Sequence, residues 1–533
     1  MLLTAISALL YILSFPVAGF DFSLWPLICC ALVPLFLGLE REDHYIENLL
    51  RGALWGAMMS FGLAYWLVYA MIWQYGISVP VAILFMVLGL MLPHALLYSL
   101  FAVAYRFIRE NVPALGGGLV FYAVTVPSLW IVVEFSREVI PVLVPWGFAG
   151  YGLQPFNIYM QIADIAGVYG ISFLVAMMNA IITYLVRDMD SGGRRGIMLL
   201  RHYAARMRTG LASKRPAYAA LAVIIIIPVL YGAVRRGWIN GYLPGGRGVD
   251  AAAVQANFTQ DERWKTAGFI ERVNVCLGLT ERCLPRETAG EPGRAAVDGI
   301  VVWPETVLNS GSQVNSRLFE YLQSRIGGSR MLVSGGVRRT IGGRGVYNTA
   351  FLVQGKDTTL FYDKNILLPY AETAPLGTFL GDFYTAPAEF LAGNTPPAAR
   401  TAAGVIGLSV CFEALYPWYS RRAVNDGARL LVNLSNDGWF GRTSEPVLHL
   451  RQASVRAIEN RRYMIRTSNN GYSAILSPTG EVLARSGLFT RECVSGRVSL
   501  LDTRTIYSWF GDWIVYAALA VILAMLMRII ISK

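Results

Sequence analysis

The chain has 533 residues, of which 55% are hydrophobic and only 15% are charged, whereas soluble globular domains carry about 25% charged residues. High hydrophobicity, six cysteines and 52 glycines exclude intrinsic disorder, a small disulfide scaffold and a coiled coil, and the long apolar runs indicate a membrane protein. The net charge of +11 could suggest nucleic acid, but eight basic residues lie in the segment 187–215, between two apolar runs. Such a loop is typical of the cytoplasmic membrane face, where it contacts anionic lipids.

Apolar runs that could form membrane-spanning helices occur before residue 236 and again after residue 508. A bilayer core of about 30 Å requires roughly 20 apolar residues in a helix, because only a helix satisfies its own backbone there. We predict eight spans, near 2–16, 24–39, 53–74, 78–104, 118–135, 159–186, 217–234 and 511–531.

The basic residues orient these spans. With the N-terminus in the cytoplasm, the loops richest in arginine fall inside, near 41–51, 106–109 and 187–215, whereas 17–23 and 75–77 contain no Lys or Arg. This pattern follows the positive-inside rule. The exceptions are Arg137, Arg235 and Arg236. Seven spans before the polar region then export that region and leave both termini in the cytoplasm. We interpret the first span as a retained anchor.

The stretch from Val249 to Leu500 changes to short apolar runs separated by amphipathic segments, which predicts an α/β domain. We predict strands at 249–256, 299–303, 330–338, 346–353, 359–363, 404–410, 429–434, 464–468, 472–476 and 494–499. We predict helices near 262–283, 315–326, 416–427 and 444–462. Runs that are apolar throughout are typical of strands covered on both faces.

Three reactive side chains stand at the ends of predicted strands. Glu305 follows GIVVWP, Lys364 closes TTLFYDK and Cys411 follows GVIGLSV. A base, a cation for the developing oxyanion and a nucleophile are the groups that covalent acyl transfer requires. Each also has an ordinary interpretation, Cys411 as a small buried hydrophobe and the other two as a surface ion pair. Spacing alone does not bring them together.

The histidines, and the cysteines other than Cys411, indicate no metal or cofactor site. The histidines, His44, His94, His202 and His449, are scattered through different segments, without the clustering that a metal requires. No phosphate-binding glycine loop occurs. We interpret His449 as a polar helix residue and Glu305 as the better candidate base. Cys276 and Cys283, about 10 Å apart along a predicted helix, are too distant to bridge, which leaves Cys493 unexplained.

Several segments carry a distinctive pattern. They are LSFP, WGAMMSFGLAYW and PWGFAGYGLQP in the membrane part, and VVWPET, DKNILLPYAE, SVCFE and NLSNDGWFG in the polar part. Their conjunction resembles the bacterial apolipoprotein N-acyltransferases, whose polar domain is similar to the nitrilase, or carbon-nitrogen hydrolase, superfamily. The resemblance covers nearly the whole chain. It implies about eight transmembrane helices and an exported αββα sandwich, divided as 1–236, 237–505 and 506–533.

The resemblance also implies roles for single residues, matched motif by motif. Glu305 is similar to the general base of that family, Lys364 to its oxyanion-stabilising lysine and Cys411 to its nucleophile. The auxiliary acidic positions correspond to Glu372 and Glu413, and the positions implicated in substrate binding correspond to Trp264, Asn348 and Trp439. The sequence departs from the family pattern at Asn365, Ala371 and Phe412.

The implied function is acyl transfer from a membrane phospholipid, such as phosphatidylethanolamine, to the N-terminal amine of a diacylglyceryl lipoprotein at the outer face of the bacterial inner membrane. The segment 365–384 is a candidate mobile arm over the acyl-chain entrance, or else an ordinary surface loop. Two alternatives stay open. A membrane-tethered amidase would let water resolve the acyl-enzyme. A transporter would require internal repeats and charged residues within the spans. Glu134 is the main charged residue in the spans, and no repeat is visible.

Overall fold

A computed structural model describes most of the chain. The described residues are 1–17, 21–41, 44–112, 117–140, 142–187, 214–242, 248–259, 268–284, 297–308, 316–327, 329–340, 345–354, 358–369, 371–373 and 390–531. The segment 187–215 therefore lies mostly outside the described residues, as do Trp264 and most of the predicted arm.

The first half of the chain and its C-terminal end are helical. The α-helices of this part are Leu2–Leu13, Val33–Arg41, Tyr45–Ala64, Trp66–Trp73, Val79–Phe85, Leu92–Asn111, Val126–Val139, Ala149–Gly152, Asn157–Met160, Ala163–Val186, Arg215–Tyr242, Ile506–Phe510 and Trp513–Ile531. A 3₁₀ turn at Trp25–Cys29 and π turns at Met86–Met91 and Phe121–Thr125 join them. Proline in the first turn begins several of these helices, where its missing N–H has no intrahelical partner.

Four helices among the described residues are long and apolar enough to cross a membrane. They are Val79–Asn111, Ala163–Val186, Arg215–Gly241 and Trp513–Ile531. The pair Tyr45–Ala64 and Trp66–Trp73, bent by 53°, would make a fifth. Exposed apolar side chains such as Ile226 and Leu230 cover the outside, as lipid contact requires. The predicted spans 2–16, 24–39 and 118–135 correspond to shorter or more polar helices, so the count of eight stays a prediction.

Aromatic rings fill the space between these helices. Trp55 lies at the centre, with ring centroids 4.6 Å from Tyr98, 5.1 Å from Tyr11 and 5.3 Å from Trp130. Gly52 lets two helices approach closely, because a Cβ atom there would lie 2.2 Å from the Tyr98 carbonyl oxygen. Small residues at such crossings are typical of membrane helix pairs.

The polar region folds into two stacked sheets. Its strands are β1 (Gly248–Gln255), β2 (Gly299–Leu308), β3 (Arg330–Arg339), β4 (Val346–Gln354), β5 (Thr358–Asp363), β6 (Ala398–Thr401), β7 (Gly404–Val410), β8 (Leu430–Ser435), β9 (Met464–Ser468), β10 (Ala474–Leu476), β11 (Val482–Arg485) and β12 (Glu492–Ser499). The sheet orders are β12-β1-β2-β3-β4-β5 and β11-β10-β9-β8-β7-β6. Strands β1 and β2 pack against β8 and β9, which stacks the sheets face to face.

Four helices cover the outer faces. Phe269–Cys283 and Ser316–Ile326 pack on the first sheet, and Pro417–Asn425 and Glu445–Asn460 on the second. The described polar region therefore has the αββα layers that the sequence resemblance implies. Sequence analysis missed only β6 and β11 among the described strands. Both lie at the edges of the second sheet, where side chains are partly exposed and the apolar pattern is weak.

A disulfide joins two segments of this domain, and buried polar contacts fix the domain against the membrane helices. Cys283 and Cys493 are bonded, with their Cα atoms 5.9 Å apart, which gives Cys493 the partner that sequence analysis did not find. Asp164 of the membrane helices forms ion pairs with Arg461 of the polar region and with Arg235, each at 2.9 Å. The backbone N–H of Val168 donates to Glu459 at 2.9 Å. These contacts set the position of the polar domain against the helices.

Candidate active site

The three strand-end residues lie in one cavity of about 380 Å³. Glu305 belongs to β2 and Lys364 follows β5, both in the first sheet, whereas Cys411 follows β7 in the second. All three are buried, Lys364 with 1% of its surface exposed. The fold therefore brings together groups that are separated by up to 106 positions in the sequence.

A break in the β2–β3 ladder turns Glu305 into the cavity. The register shifts between Trp303 and Leu308, where Pro304 has no N–H to donate. The opposite strand has Gly335 at this point. A Cβ atom there would lie 2.5 Å from the Glu305 Cα, so a side chain at Gly335 would push Glu305 out of position.

The backbone of Cys411 has an unusual conformation. Its φ of 52° lies in the left-handed region, which costs free energy unless surrounding contacts hold it. Its carbonyl oxygen lies 3.1 Å from His449 Nε2 and accepts a longer contact, at 3.4 Å, from Asn433 Nδ2. A 3₁₀ turn begins at the cysteine and turns its side chain out of the sheet into the cavity.

Lys364 is held by carboxylates. Its Nζ lies 2.7 Å from Glu372 Oε2. Asn348 Nδ2 donates to Glu305 Oε1 at 2.6 Å and to Glu372 Oε1 at 3.1 Å, which links the two acids. Burial alone would lower the pKa of Lys364, but the negative charges of Glu372 and Glu305, Glu372 above all, outweigh it and raise the pKa. Lys364 therefore stays an ammonium ion that can stabilise an oxyanion.

The Cys411 thiol is protonated at rest. Burial and then the charge of Glu305 raise its pKa, and the opposing effect of Lys364 is smaller. A thiol in this state needs a base that takes its proton as it attacks. Glu305 lines the same cavity and has the chemistry for that step.

Glu413 supports the site from within the fold. Its carboxylate accepts hydrogen bonds from the backbone of Val410, Asn365 and Ile366 and from the Tyr362 hydroxyl, at 2.6 to 3.0 Å. Burial raises its pKa to about 7, and these donors oppose the rise. Since it joins the segments that carry Cys411 and Lys364, it positions both.

Beneath Cys411 lies a group of polar side chains that sequence analysis did not anticipate. His449 is buried, with Nδ1 3.1 Å from Asp437 Oδ1 and 3.3 Å from Glu445 Oε1. Both ring nitrogens thus face hydrogen-bond acceptors, which favours the doubly protonated ring. Burial would lower the pKa of His449, but the two carboxylates raise it. His449 is therefore more than the polar helix residue that its sequence position suggested.

Asp437, Glu445 and His449 also have donor atoms within 4.8 Å of one another, a grouping that the spacing of the histidines did not reveal. Arg466 forms an ion pair with Asp437 at 2.9 Å, and Nε2 of the histidine faces the Cys411 carbonyl oxygen. Two of the three groups are already engaged, and we assign no metal to them.

The opposite wall of the cavity is built by the membrane helices. It is apolar and includes Trp66, Leu67, Phe85, Gly89, Leu90 and Trp146. Trp439, a predicted substrate-binding residue, also lines the cavity and stacks on Tyr75 with ring centroids 5.0 Å apart. Asn348 lines it as well, whereas Trp264 lies outside the described residues. Motifs in the sequence did not indicate that residues 66–90 contribute to the site.

Comparisons with known proteins agree with this arrangement. Residues 7–181 match the family model described as apolipoprotein N-acyltransferase N-terminal domain, and residues 296–507 match carbon-nitrogen hydrolase. The apolipoprotein N-acyltransferase of Geobacter metallireducens is 28% identical, over 99% of this chain and 95% of its own. That of Azotobacter vinelandii is 31% identical, over 95% and 91%.

A solved structure was also found. The carbon-nitrogen hydrolase from Helicobacter pylori G27 is 16% identical, covers 50% of this chain and 94% of its own, and has a TM-score of 0.36. The family assignment depends on the full-length relatives instead. At 31% identity over nine tenths of the Azotobacter protein, the chain belongs to the apolipoprotein N-acyltransferase family.

Proposed function

We propose that the protein transfers an acyl chain from a membrane phospholipid to the N-terminal amine of a diacylglyceryl lipoprotein, through a thioester on Cys411. The observation that carries the proposal is a single cavity with two different walls. One wall holds a carboxylate, an ammonium and a thiol, and the other is an apolar surface of membrane helices. The activity named for the full-length relatives supports the same assignment.

In the first half of the reaction, Cys411 Sγ attacks the ester carbonyl carbon of the phospholipid while Glu305 takes the thiol proton. Lys364 stabilises the oxyanion that forms. The ester C–O bond then breaks, and the proton passes from Glu305 to the departing oxygen. A lysophospholipid leaves, and the acyl chain stays on sulfur.

In the second half, the amine of the lipoprotein attacks the thioester carbonyl carbon. A C–N bond forms and the C–S bond breaks, so the product is an amide and the thiol is restored. The amide product is more stable than the thioester, so aminolysis drives the sequence forward. Both substrates carry long acyl chains, and a site next to the membrane helices spares them exposure to water at about 0.8 kcal/mol per CH₂.

For topology we propose an exported catalytic domain with both termini in the cytoplasm of a bacterial inner-membrane protein. The Cys283–Cys493 disulfide supports export, since disulfides persist in oxidising compartments. We keep the division into 1–236, 237–505 and 506–533. An impermeant protease added to intact spheroplasts should cleave the 249–500 region, and protection of that region would contradict the topology.

The decisive experiment is intact-protein mass spectrometry. Purified protein mixed with phosphatidylethanolamine alone should gain one acyl group on the peptide that contains Cys411. Hydroxylamine should remove it, and a synthetic diacylglyceryl lipopeptide should discharge it to an N-acylated product. If no adduct forms while a Cys411→Ala protein still acylates the lipopeptide, the assignment of the nucleophile is wrong. Discharge by water alone would instead indicate an amidase or esterase.

A further inference from the structure

Glu445 is a buried acid in the cavity that the proposed chemistry leaves without a task. It is the first residue of the helix Glu445–Asn460, is only 1% exposed and lines the cavity together with Glu305, Lys364 and Cys411. The backbone N–H of Ser444, its neighbour, donates to the Tyr65 hydroxyl at 3.3 Å. Glu445 therefore lies where the catalytic domain meets the break between the membrane helices Tyr45–Ala64 and Trp66–Trp73.

One oxygen of Glu445 is unused. Oε1 lies 3.3 Å from His449 Nδ1, whereas the buried Oε2 has no hydrogen-bond partner among the described residues. The other carboxylates of the cavity differ, since Glu305 accepts from Asn348, and Glu372 accepts from Asn348 and pairs with Lys364. A buried acceptor without a donor costs free energy, which indicates that a ligand supplies the donor.

The charge of the lining defines the kind of donor. The described residues that line the cavity include three acidic side chains and two basic ones. The acidic ones are Glu305, Glu372 and Glu445, and the basic ones are Lys364 and the buried His449. Lys364 is already held by Glu372, so the region around Glu445 favours a cation with N–H groups. The acceptor in the proposed reaction is such a cation, because an α-amine with a pKa of about 7.7–8.0 is largely protonated at neutral pH.

Resting on the proposed function, we propose that Glu445 binds the ammonium group of the acceptor and takes its first proton. The neutral amine then attacks the thioester carbonyl carbon. Glu305, which is a carboxylate again after the first half-reaction, takes the second proton as the C–N bond forms. The C–S bond breaks, Glu305 returns its proton to Cys411, and Glu445 releases its proton to water, so atoms and charges balance.

The environment suits this role. Burial and then the charge of Asp437 raise the pKa of Glu445 to about 7, which is close to the best value for a base at neutral pH. The charged groups that face it are His449 on its own helix, Asp437 on the 3₁₀ turn Asp437–Phe440 and Arg466 on β9. Below its pKa Glu445 is neutral and cannot take a proton, so amine transfer should slow as the pH falls through 7.

The test separates the two half-reactions. Full-length wild-type protein, Glu445→Gln, Glu445→Asp and the exposed control Glu320→Gln are loaded with phosphatidylethanolamine, and the thioester is followed by mass spectrometry. Each acyl-enzyme is then discharged with a diacylglyceryl lipopeptide or with hydroxylamine, a nucleophile that is uncharged at neutral pH. Loading also reports whether each variant is folded.

We expect Glu445→Gln to load normally and to react normally with hydroxylamine, but to discharge to lipopeptide about 10²-fold more slowly. Its KM for lipopeptide should rise, and its pH profile should lose the inflection near pH 7 while keeping that of the amine itself. Glu445→Asp should recover part of the rate, and Glu320→Gln should match wild type.

Three results would overturn the inference. If Glu445→Gln discharges to lipopeptide at the wild-type rate, the inference is wrong and the proposed function stands. Equal losses of rate with lipopeptide and with hydroxylamine would also overturn only the inference, because they would indicate a structural role for Glu445. Failure of the wild-type protein to form any thioester would overturn the proposed function and this inference with it.

Discussion

The two walls of the cavity stabilise a substrate in different ways. On the catalytic wall the charges of Lys364 and Glu305 are fixed by short, directional contacts, from Glu372 and Asn348. On the membrane wall, Trp66, Phe85 and their neighbours offer non-directional apolar contact. Displacement of one group by a fraction of an ångström should therefore lower the reaction rate strongly on the catalytic wall and only slightly on the membrane wall. We expect substitutions on the catalytic wall to abolish chemistry and those on the membrane wall to change which substrate fits.

The largest effect should follow removal of the proposed nucleophile. Cys411→Ala should lower turnover to background, a loss of roughly 10⁶-fold if it resembles a serine hydrolase without its serine. The measurement is lipopeptide acylation with intact-protein mass spectrometry for the adduct. Cys276→Ala, at a buried free thiol outside the cavity, is the matched control and should retain activity. Comparable losses in both variants would point to unfolding.

Neutralising either partner of the cysteine should come next. Glu305→Gln cannot accept the thiol proton, and Lys364→Met keeps the stem but removes the cation, so each should lose about 10²–10³ in rate. Thermal unfolding would verify that the variants fold, and turnover would be measured under saturating donor. A near-normal rate in either purified variant would remove that residue from the mechanism.

His449→Leu should have a smaller effect on formation of the thioester, because in that step the side chain acts through the Cys411 carbonyl. Loss of one buried hydrogen bond costs about 1–3 kcal/mol, or roughly 5- to 160-fold if it is expressed in the acylation rate. His449→Gln restores an N–H donor without the charge and should recover part of that loss. If His449→Leu and His449→Gln have equally low acylation rates, His449 does not position Cys411 through its hydrogen bond.

A change on the membrane wall should alter selectivity. Gly89 lies in the π turn Met86–Met91, and a Cβ atom there would make an ordinary 3.5 Å contact with the Phe85 ring, so a side chain is tolerated and extends into the cavity. Gly89→Leu should lower kcat/KM for 18-carbon relative to 12-carbon donors about tenfold, equivalent to two unburied CH₂ groups. The control Leu88→Phe, on the exposed side of the same turn, should show no such change. A uniform loss for all chain lengths would contradict the different roles of the walls.

The smallest effect on activity should come from the disulfide, which touches neither wall. Cys493→Ala should retain near wild-type turnover but lower the free energy of unfolding by about 2–5 kcal/mol, because the bond closes a loop of 210 residues. Chemical denaturation with and without reductant measures this. Reductant should destabilise the wild-type protein and leave the variant unchanged; equal responses would mean that the bond is not formed.

How far these features can be predicted from sequence depends on how local their causes are. Strand β7 was predicted at the residues where it occurs, because GVIGLSV is apolar throughout and ends at a polar step. The contact between His449 and Cys411 could not be predicted, since it joins residues 38 positions apart through the packing of a helix on a sheet. The same holds for the pairing of Cys283 with Cys493.

Membrane spans showed a different limit. The helix Val126–Val139 contains Glu134 and Arg137, both of which are buried. A hydropathy average treats these two side chains as if they faced lipid and so lowers the apparent tendency of the helix to span the membrane. In the folded protein Glu134 accepts a hydrogen bond from the Ala149 backbone at 2.7 Å, a contact that no local pattern reveals. Polar groups satisfied by neighbouring helices therefore make the number of spans harder to predict than the strands of the catalytic domain.

The buried ion pairs between Asp164, Arg461 and Arg235 have a kinetic consequence. They hold Cys411, the proposed nucleophile, at a fixed height relative to the membrane helices, so donor and acceptor must reach it from the bilayer. Encounters with donor and acceptor are then two-dimensional, and the effective concentration is a mole fraction in the lipid phase. Diluting phosphatidylethanolamine with an inert lipid at constant total amount in water should slow turnover in proportion, as surface dilution does for an interfacial catalyst.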